Sequence, residues 1–203
     1  GYAFMGYYNG DRQYYNAAGE FVLEEELKID EDMIGTIELE AVWSVKKYNV
    51  LFDPNGAKGD MSMLKDVEYD SEFLAPDSKF EMEGYHFAGW SISENGRGNI
   101  YKAGDKIKNL TGDGGQTVKL YAQWEENSYN IEYNLNGGIG KMPENVSVLY
   151  NGNYIIPKNQ GTKEYYVFTG WNTRYDGRGQ SFSEGQHVKQ LSEIQDDKII
   201  LYA

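Results

Sequence analysis

Tyr48, Val50 and Phe52 alternate with Asn49, Leu51 and Asp53, and the alternation stops at Pro54-Asn55-Gly56. Aromatic and β-branched residues at a period of two, closed by a turn dipeptide, predict a strand with one buried face. Tyr129, Ile131 and Tyr133 repeat the pattern and stop at Asn136-Gly137-Gly138. Val67 and Tyr69, like Val148 and Tyr150, predict a second short strand, after which Pro76 or Pro157 marks a loop. Tyr85-His86-Phe87-Ala88-Gly89-Trp90 reads as a third strand, with Tyr85, Phe87 and Gly89 on one face and Trp90 on the other. A glycine between two aromatic residues predicts close approach of another backbone or ring. Asn95-Gly96-Arg97-Gly98 and Asp176-Gly177-Arg178-Gly179 carry turn chemistry. Ile107 and Leu110, like Val188 and Leu191, stand three apart, which predicts one short helical turn. Val118, Leu120 and Ala122 then lead to Trp124 in a last strand, as Ile37, Leu39 and Ala41 lead to Trp43.

These elements recur because the chain does. Residues 45–122 align without a gap on residues 126–203 at an offset of 81, with 23 identities in 78 pairs. Most of the shared residues are turn glycines and bulky apolar or aromatic side chains. Only three charged residues recur in place: Glu83 as Glu164, Arg97 as Arg178 and Lys108 as Lys189. Such a repeat preserves a shape rather than a reaction centre. Phe4-Met5-Gly6-Tyr7 stands where Phe87-Ala88-Gly89-Trp90 stands, and Leu39 to Trp43 where Leu120 to Trp124 stands. The expected organisation is therefore a partial, carboxy-terminal half-module over 1–44, a module over 45–125, and a module over 126–203 truncated at its last strand. Both ends read as cut, as in a piece of a longer polypeptide. The joints, Ser44-Val45-Lys46-Lys47 and Glu125-Glu126-Asn127-Ser128, are short and lack Gly and Pro, so restricted hinging is expected.

Modules this small bury modest cores, and the 18 Tyr and 4 Trp among 203 residues supply the area. With no Cys, neither disulfides, thiolate metal sites nor a Cys nucleophile are available. The net charge of −13 argues against nucleic acid as a partner and against binding an anionic membrane surface. No apolar run is long enough to insert in a membrane.

The phrase Tyr-x-Val-x-Phe-x-x-Asn-Gly (Tyr48 to Gly56), then Gly-Tyr-x-Phe-x-Gly-Trp (Gly84 to Trp90), then Leu-Tyr-Ala-Gln-Trp (Leu120 to Trp124) resembles the Listeria–Bacteroides repeat, the B-repeat of internalin-type surface proteins. Tyr129 to Gly137, Tyr165 to Trp171 and Leu201 to Ala203 give the second copy. In the half-module the likeness is weaker, with Tyr7 for Trp and Glu40 for Tyr. The resemblance implies a β-grasp-like module, a curved sheet around a short helix. The implied fold class is mainly β or α+β, in tandem copies on secreted or cell-wall-attached bacterial proteins. It brings no catalytic residues.

Candidate chemistry is sparse. His86 and His187 do not correspond under the repeat and read as surface residues, not metal ligands. The acidic runs Glu24-Glu25-Glu26, Asp30-Glu31-Asp32 and Asp196-Asp197 lack calcium-loop spacing and read as solvated faces. Gly96-Arg97-Gly98 lacks the Lys-Ser/Thr and helix of a phosphate loop. Asn109-Leu110-Thr111 and Asn145-Val146-Ser147 match the glycosylation acceptor, a pattern too short to weigh here. No carboxylate pair recurs for glycoside hydrolysis, and no nucleophile setting occurs.

The expectation is a protein without catalytic, metal or cofactor sites: a spacer or stalk at the bacterial surface or cell wall. It would offer adhesive or protein-interaction contacts to host or bacterial surface proteins or glycans. Tyr7, Tyr8, Tyr14, Tyr15, Tyr101 and Tyr175, which the patterning does not bury, are the candidate contact aromatics. The alternative is a carbohydrate-binding array attached to a glycan-acting enzyme.

Overall fold

In the half-module, β1 (Tyr2–Asn9), β2 (Arg12–Asn16) and β3 (Glu40–Val45) form an antiparallel sheet in the order β2-β1-β3. The computed structural model describes residues 1–22 and 35–203, so the runs at 24–26 and 30–32 lie outside the described residues.

The first complete module holds β4 (Lys47–Asp53), β5 (Leu64–Glu68), β6 (Phe73–Leu74), β7 (Tyr85–Ser91), β8 (Lys106–Ile107) and β9 (Thr117–Glu126). Its main sheet runs β5-β4-β9-β7, with β4 and β9 parallel, and β6 pairs with β8. The second module holds β10 (Ser128–Asn134), β11 (Ile139–Lys141), β12 (Val146–Leu149), β13 (Tyr154–Ile155), β14 (Gln160–Thr162), β15 (Trp171–Asn172), β16 (Ser181–Phe182), β17 (His187–Val188) and β18 (Asp197–Tyr202). Its sheet runs β12-β10-β18-β15-β16 around the parallel pair β10·β18, and β13 pairs with β17 in the place of β6·β8.

The alternating residues bury as their period requires. Tyr48, Val50 and Phe52 are buried in the first module, and Tyr129, Ile131 and Tyr133 in the second. Trp90 and Trp171 are fully enclosed, with rings 4.8 Å from Phe52 and 4.7 Å from Tyr133. Each indole N–H donates to the carbonyl of the loop proline, Trp90 to Pro76 at 2.7 Å and Trp171 to Pro157 at 3.3 Å. A buried indole keeps a partner this way, which explains why tryptophan and proline recur together. The glycine before each tryptophan has φ near +147°, and a side chain on Gly170 would meet the Phe182 carbonyl at 2.8 Å. The close backbone approach expected at that position is present.

Among the described residues every regular element is a strand. The mainly-β expectation holds; the α+β alternative, the helical turns and the short helix implied by the resemblance do not. Ile107 lies in β8 opposite Phe73, and Val188 in β17 opposite Tyr154. Between each of them and its partner leucine stands a left-handed residue, Asn109 at φ 54° or Gln190 at φ 55°. One left-handed residue inside a single turn interrupts the helix. The three-residue spacing comes from a strand end and the loop after it.

The chain forms two compact units that cut across the sequence repeat. One comprises Gly1–Asp53, Met61–Asp77 and Trp90–Tyr121; the other comprises Pro54–Asp60, Ser78–Gly89 and Ala122–Ala203. The first contains the joint between the half-module and the first module. The second contains the joint between the two repeats, because Ser78–Gly89 and Ala122–Asn127 belong to it.

Candidate functional site: the repeat junction

The candidate aromatics are not gathered into one site. Tyr7 and Tyr175 are exposed, while Tyr8, Tyr14, Tyr15 and Tyr101 are half-buried. Tyr101 pairs with the buried Trp90 through two backbone bonds of 2.8 Å, and Tyr175 stands 6.4 Å from the Tyr202 ring. Tyr14 lies beneath the Arg12 guanidinium. Only Tyr7 and Tyr15 belong to a common row, in which Trp43, Phe4, Tyr7, Tyr15 and Phe21 follow one another at 5.2, 5.2, 6.5 and 5.5 Å. Trp43 and Phe21 were not among the candidates: Trp43 lies inside β3, and Phe21 joins the row through an isolated bridge to Tyr15.

The arrangement that recurs with matched geometry lies at the joints. In the first, Lys46 N–H donates to Gly1 O at 2.9 Å and Tyr69 N–H to Lys46 O at 2.9 Å. In the second, Asn127 N–H donates to Gly84 O at 2.8 Å and Tyr150 N–H to Asn127 O at 2.7 Å. Lys46 and Tyr69 correspond to Asn127 and Tyr150 at the offset of 81, and Gly1 corresponds to Gly84 at 83. In both, the tyrosine ring lies flat against the glycine, so that a Cβ on Gly1 or Gly84 would overlap ring carbons of Tyr69 or Tyr150.

Side chains complete each clasp. Tyr2 Oη donates to Asp70 Oδ2 at 2.7 Å, and the Asn109 amide donates to Asp70 Oδ1 at 2.7 Å. At the second joint Asn151 replaces Asp70: its amide donates to Tyr85 Oη at 3.2 Å and its Oδ1 accepts from Gln190 Nε2 at 2.9 Å. The second joint adds a bond from Tyr150 Oη to Glu83 at 2.7 Å and one from Asn127 Nδ2 to the Glu193 carbonyl at 2.7 Å. His86 meets Asn127 Oδ1 at 2.7 Å, so it is part of this joint rather than bare surface. The Asn109 amide and the Tyr2 hydroxyl hold the Asp70 carboxyl below the usual carboxylate range, and the bond to Asp70 raises Tyr2. The bond to Glu83 raises Tyr150 in the same way.

This arrangement positions backbone; it does not poise a reaction. Its polar groups are satisfied by one another, and among the described residues no three acidic or imidazole side chains converge as a metal site would require. No helix of the described residues is long and apolar enough to cross a membrane. The clasp was invisible to patterning because its members are far apart in sequence and chemically ordinary; the signal was the recurrence of Tyr69 as Tyr150 and of a glycine just before β1 and β7.

The second module carries another residue at the position of the clasp glycine. Tyr165 replaces Gly84 there, nearly fully exposed and at φ 65°. Beside it, a groove of about 520 Å³ is lined by Leu135, Lys163, Tyr166, Val167, Phe168 and Ala203, among others. Lys163 Nζ stands 4.9 Å over the Tyr166 ring.

Comparison with known proteins matches the sequence to a family. The profile of the Listeria-Bacteroides repeat domain covers residues 48–123 and 129–203. A "Putative Gly-rich membrane protein" of Evansella cellulosilytica is 36% identical over 135 residues, 66% of this chain and 15% of that protein. A "Putative membrane protein" of the same organism is 30% identical over 195 residues, 95% of this chain and 26% of that protein. The chain thus spans about a quarter or less of the length of these relatives. No solved structure matches it.

Proposed function

Since this chain belongs to the Listeria-Bacteroides repeat domain family, we propose that it is a non-catalytic spacer segment of a bacterial membrane- or wall-associated surface protein. It sets a fixed step per repeat between whatever flanks it. The observation that supports this reading is the clasp: Gly1, Lys46 and Tyr69 recur as Gly84, Asn127 and Tyr150 with backbone bonds within 0.2 Å of each other. A joint that closes two backbone bonds and stacks a ring on a glycine resists hinging, as neighbour-only repeat contacts do in solenoids. Adhesive contact with a surface protein is the accompanying proposal, made through exposed aromatics such as Tyr7 and Tyr175.

Small-angle scattering on chains carrying one, two and three copies of residues 45–125 tests the spacer. A constant increment in maximum dimension per copy supports it. Dimensions that grow as the square root of copy number, as for freely jointed beads, would remove the spacer reading.

A further inference from the structure

His86 links the second joint to a carboxylate. Its Nδ1 meets Asn127 Oδ1 at 2.7 Å, and its Nε2 stands 3.5 Å from Glu125 Oε2. Asn127 is 6% exposed, and its own N–H and carbonyl close the clasp, toward Gly84 O and from the Tyr150 N–H. β7 and β9 are neighbours in their sheet. His86 and Glu125 stand where Ala3 and Ser44 pair across β1 and β3, at offsets of 83 and 81.

The bonds fix which ring nitrogen carries hydrogen. The Glu193 carbonyl can only accept, and Asn127 Nδ2 donates to it at 2.7 Å. The amide oxygen of Asn127 therefore faces His86, and Nδ1 must be the donor. A neutral ring protonated at Nδ1 presents only a lone pair at Nε2, turned toward the Glu125 carboxylate. Acceptor then meets acceptor. A charged ring donates from both nitrogens and satisfies Asn127 and Glu125 together. The other titratable side chains of the joint have their own partners. Glu83 accepts from the Tyr150 hydroxyl, Glu126 from the Asn151 N–H, and the Tyr85 hydroxyl from the Asn151 amide. The Glu193 carboxylate acts on Tyr150.

We propose that His86 is a proton-operated latch of the second joint: its charged imidazole ties Glu125 of β9 to Asn127, and the joint tightens as pH falls from about 8 to about 5. The first joint carries Ala3 and Lys46 at the places of His86 and Asn127, so it has no such latch. The inference rests on the closed joint of the spacer reading and adds its regulation, an acidic exterior stiffening the second joint alone. Both members of the ion pair reach solvent, at 42% and 71% exposure, so the response is graded.

The test follows the full chain from about pH 8 to about pH 5. Nitrogen-15 chemical shifts read the His86 ring, and amide exchange corrected for intrinsic rate reads opening at Asn127. The expected result is a neutral ring protonated at Nδ1, with opening at Asn127 reduced about two- to fivefold as that ring charges, the range of an exposed ion pair. Glu125→Gln should remove this change while the joint stays closed, and His187→Gln should leave it intact. A neutral ring protonated at Nε2, protection at Asn127 that stays flat or weakens on acidification, or an undiminished change in Glu125→Gln would each overturn the proposal. So would loss of the change in His187→Gln. Exchange at the rate of an open linker at both ends of the range would remove the joint itself, which separates failure of the spacer reading from failure of the latch alone.

Discussion

Replacing Gly84 by alanine probes the second joint at its tightest point. Gly84 has φ 74°, and an added methyl would overlap the Tyr150 ring. The left-handed backbone alone costs a non-glycine residue about 1–2 kcal/mol. The methyl also displaces a tyrosine that is 8% exposed; loss of its packing is bounded by the ~3–5 kcal/mol of truncating a buried aromatic. A ring that tilts rather than leaves forfeits part of that, so the expected total is about 2–4 kcal/mol. Local opening, read as exchange at the Asn127 and Tyr150 amides, isolates the effect from global unfolding. A double-mutant cycle with Tyr150→Ala then separates the two causes. Without the ring, the Gly84→Ala cost should fall to about 1–2 kcal/mol, the backbone part alone. An unchanged cost in the Tyr150→Ala background, or a single-variant cost below about 0.5 kcal/mol, would refute the clasp as drawn.

Other expected outcomes follow from the same geometry. The Asp70 carboxyl is held below its ordinary range, so its contribution is present above the unfolded value and is lost as pH falls below about 4; exchange at the Lys46 amide, corrected for intrinsic rate, should rise on acidification, and Asp70→Asn should remove that rise. The Tyr129 hydroxyl is buried and approaches Leu191 without a formed bond, and burial raises its pKa; Tyr129→Phe should leave stability in urea unchanged or higher by up to ~1 kcal/mol. Tyr165→Gly relieves a left-handed residue that is 94% exposed, and thermal denaturation should show a gain of about 1 kcal/mol. Leu201→Ala empties a fully buried position in the second core and should cost about 2–5 kcal/mol by the same measurement.

The strands were legible wherever burial is one-sided: the period-two runs at Tyr48 and Tyr129 became the parallel-paired inner strands. Parallel pairing itself was not legible, because alternation orients side chains without choosing a neighbour. The false helical turn came from counting the spacing of Ile107 and Leu110 without the left-handed residue between them. Asn109 tolerates that conformation, but Gln190 gave no such hint. The clasp was out of reach for another reason. Gly84, Asn127 and Tyr150 meet through backbone atoms, and only their recurrence, at 81 for Asn127 and Tyr150 and at 83 for Gly84, could have brought them together.

Amide exchange at the two joint donors, Lys46 and Asn127, tests the central claim most directly. Closed joints predict protection at both comparable to that of Ile131 in the inner strand of the second sheet. Exchange at the rate of an open linker, while Ile131 remains protected, would mean that the repeats hinge freely and set no fixed step.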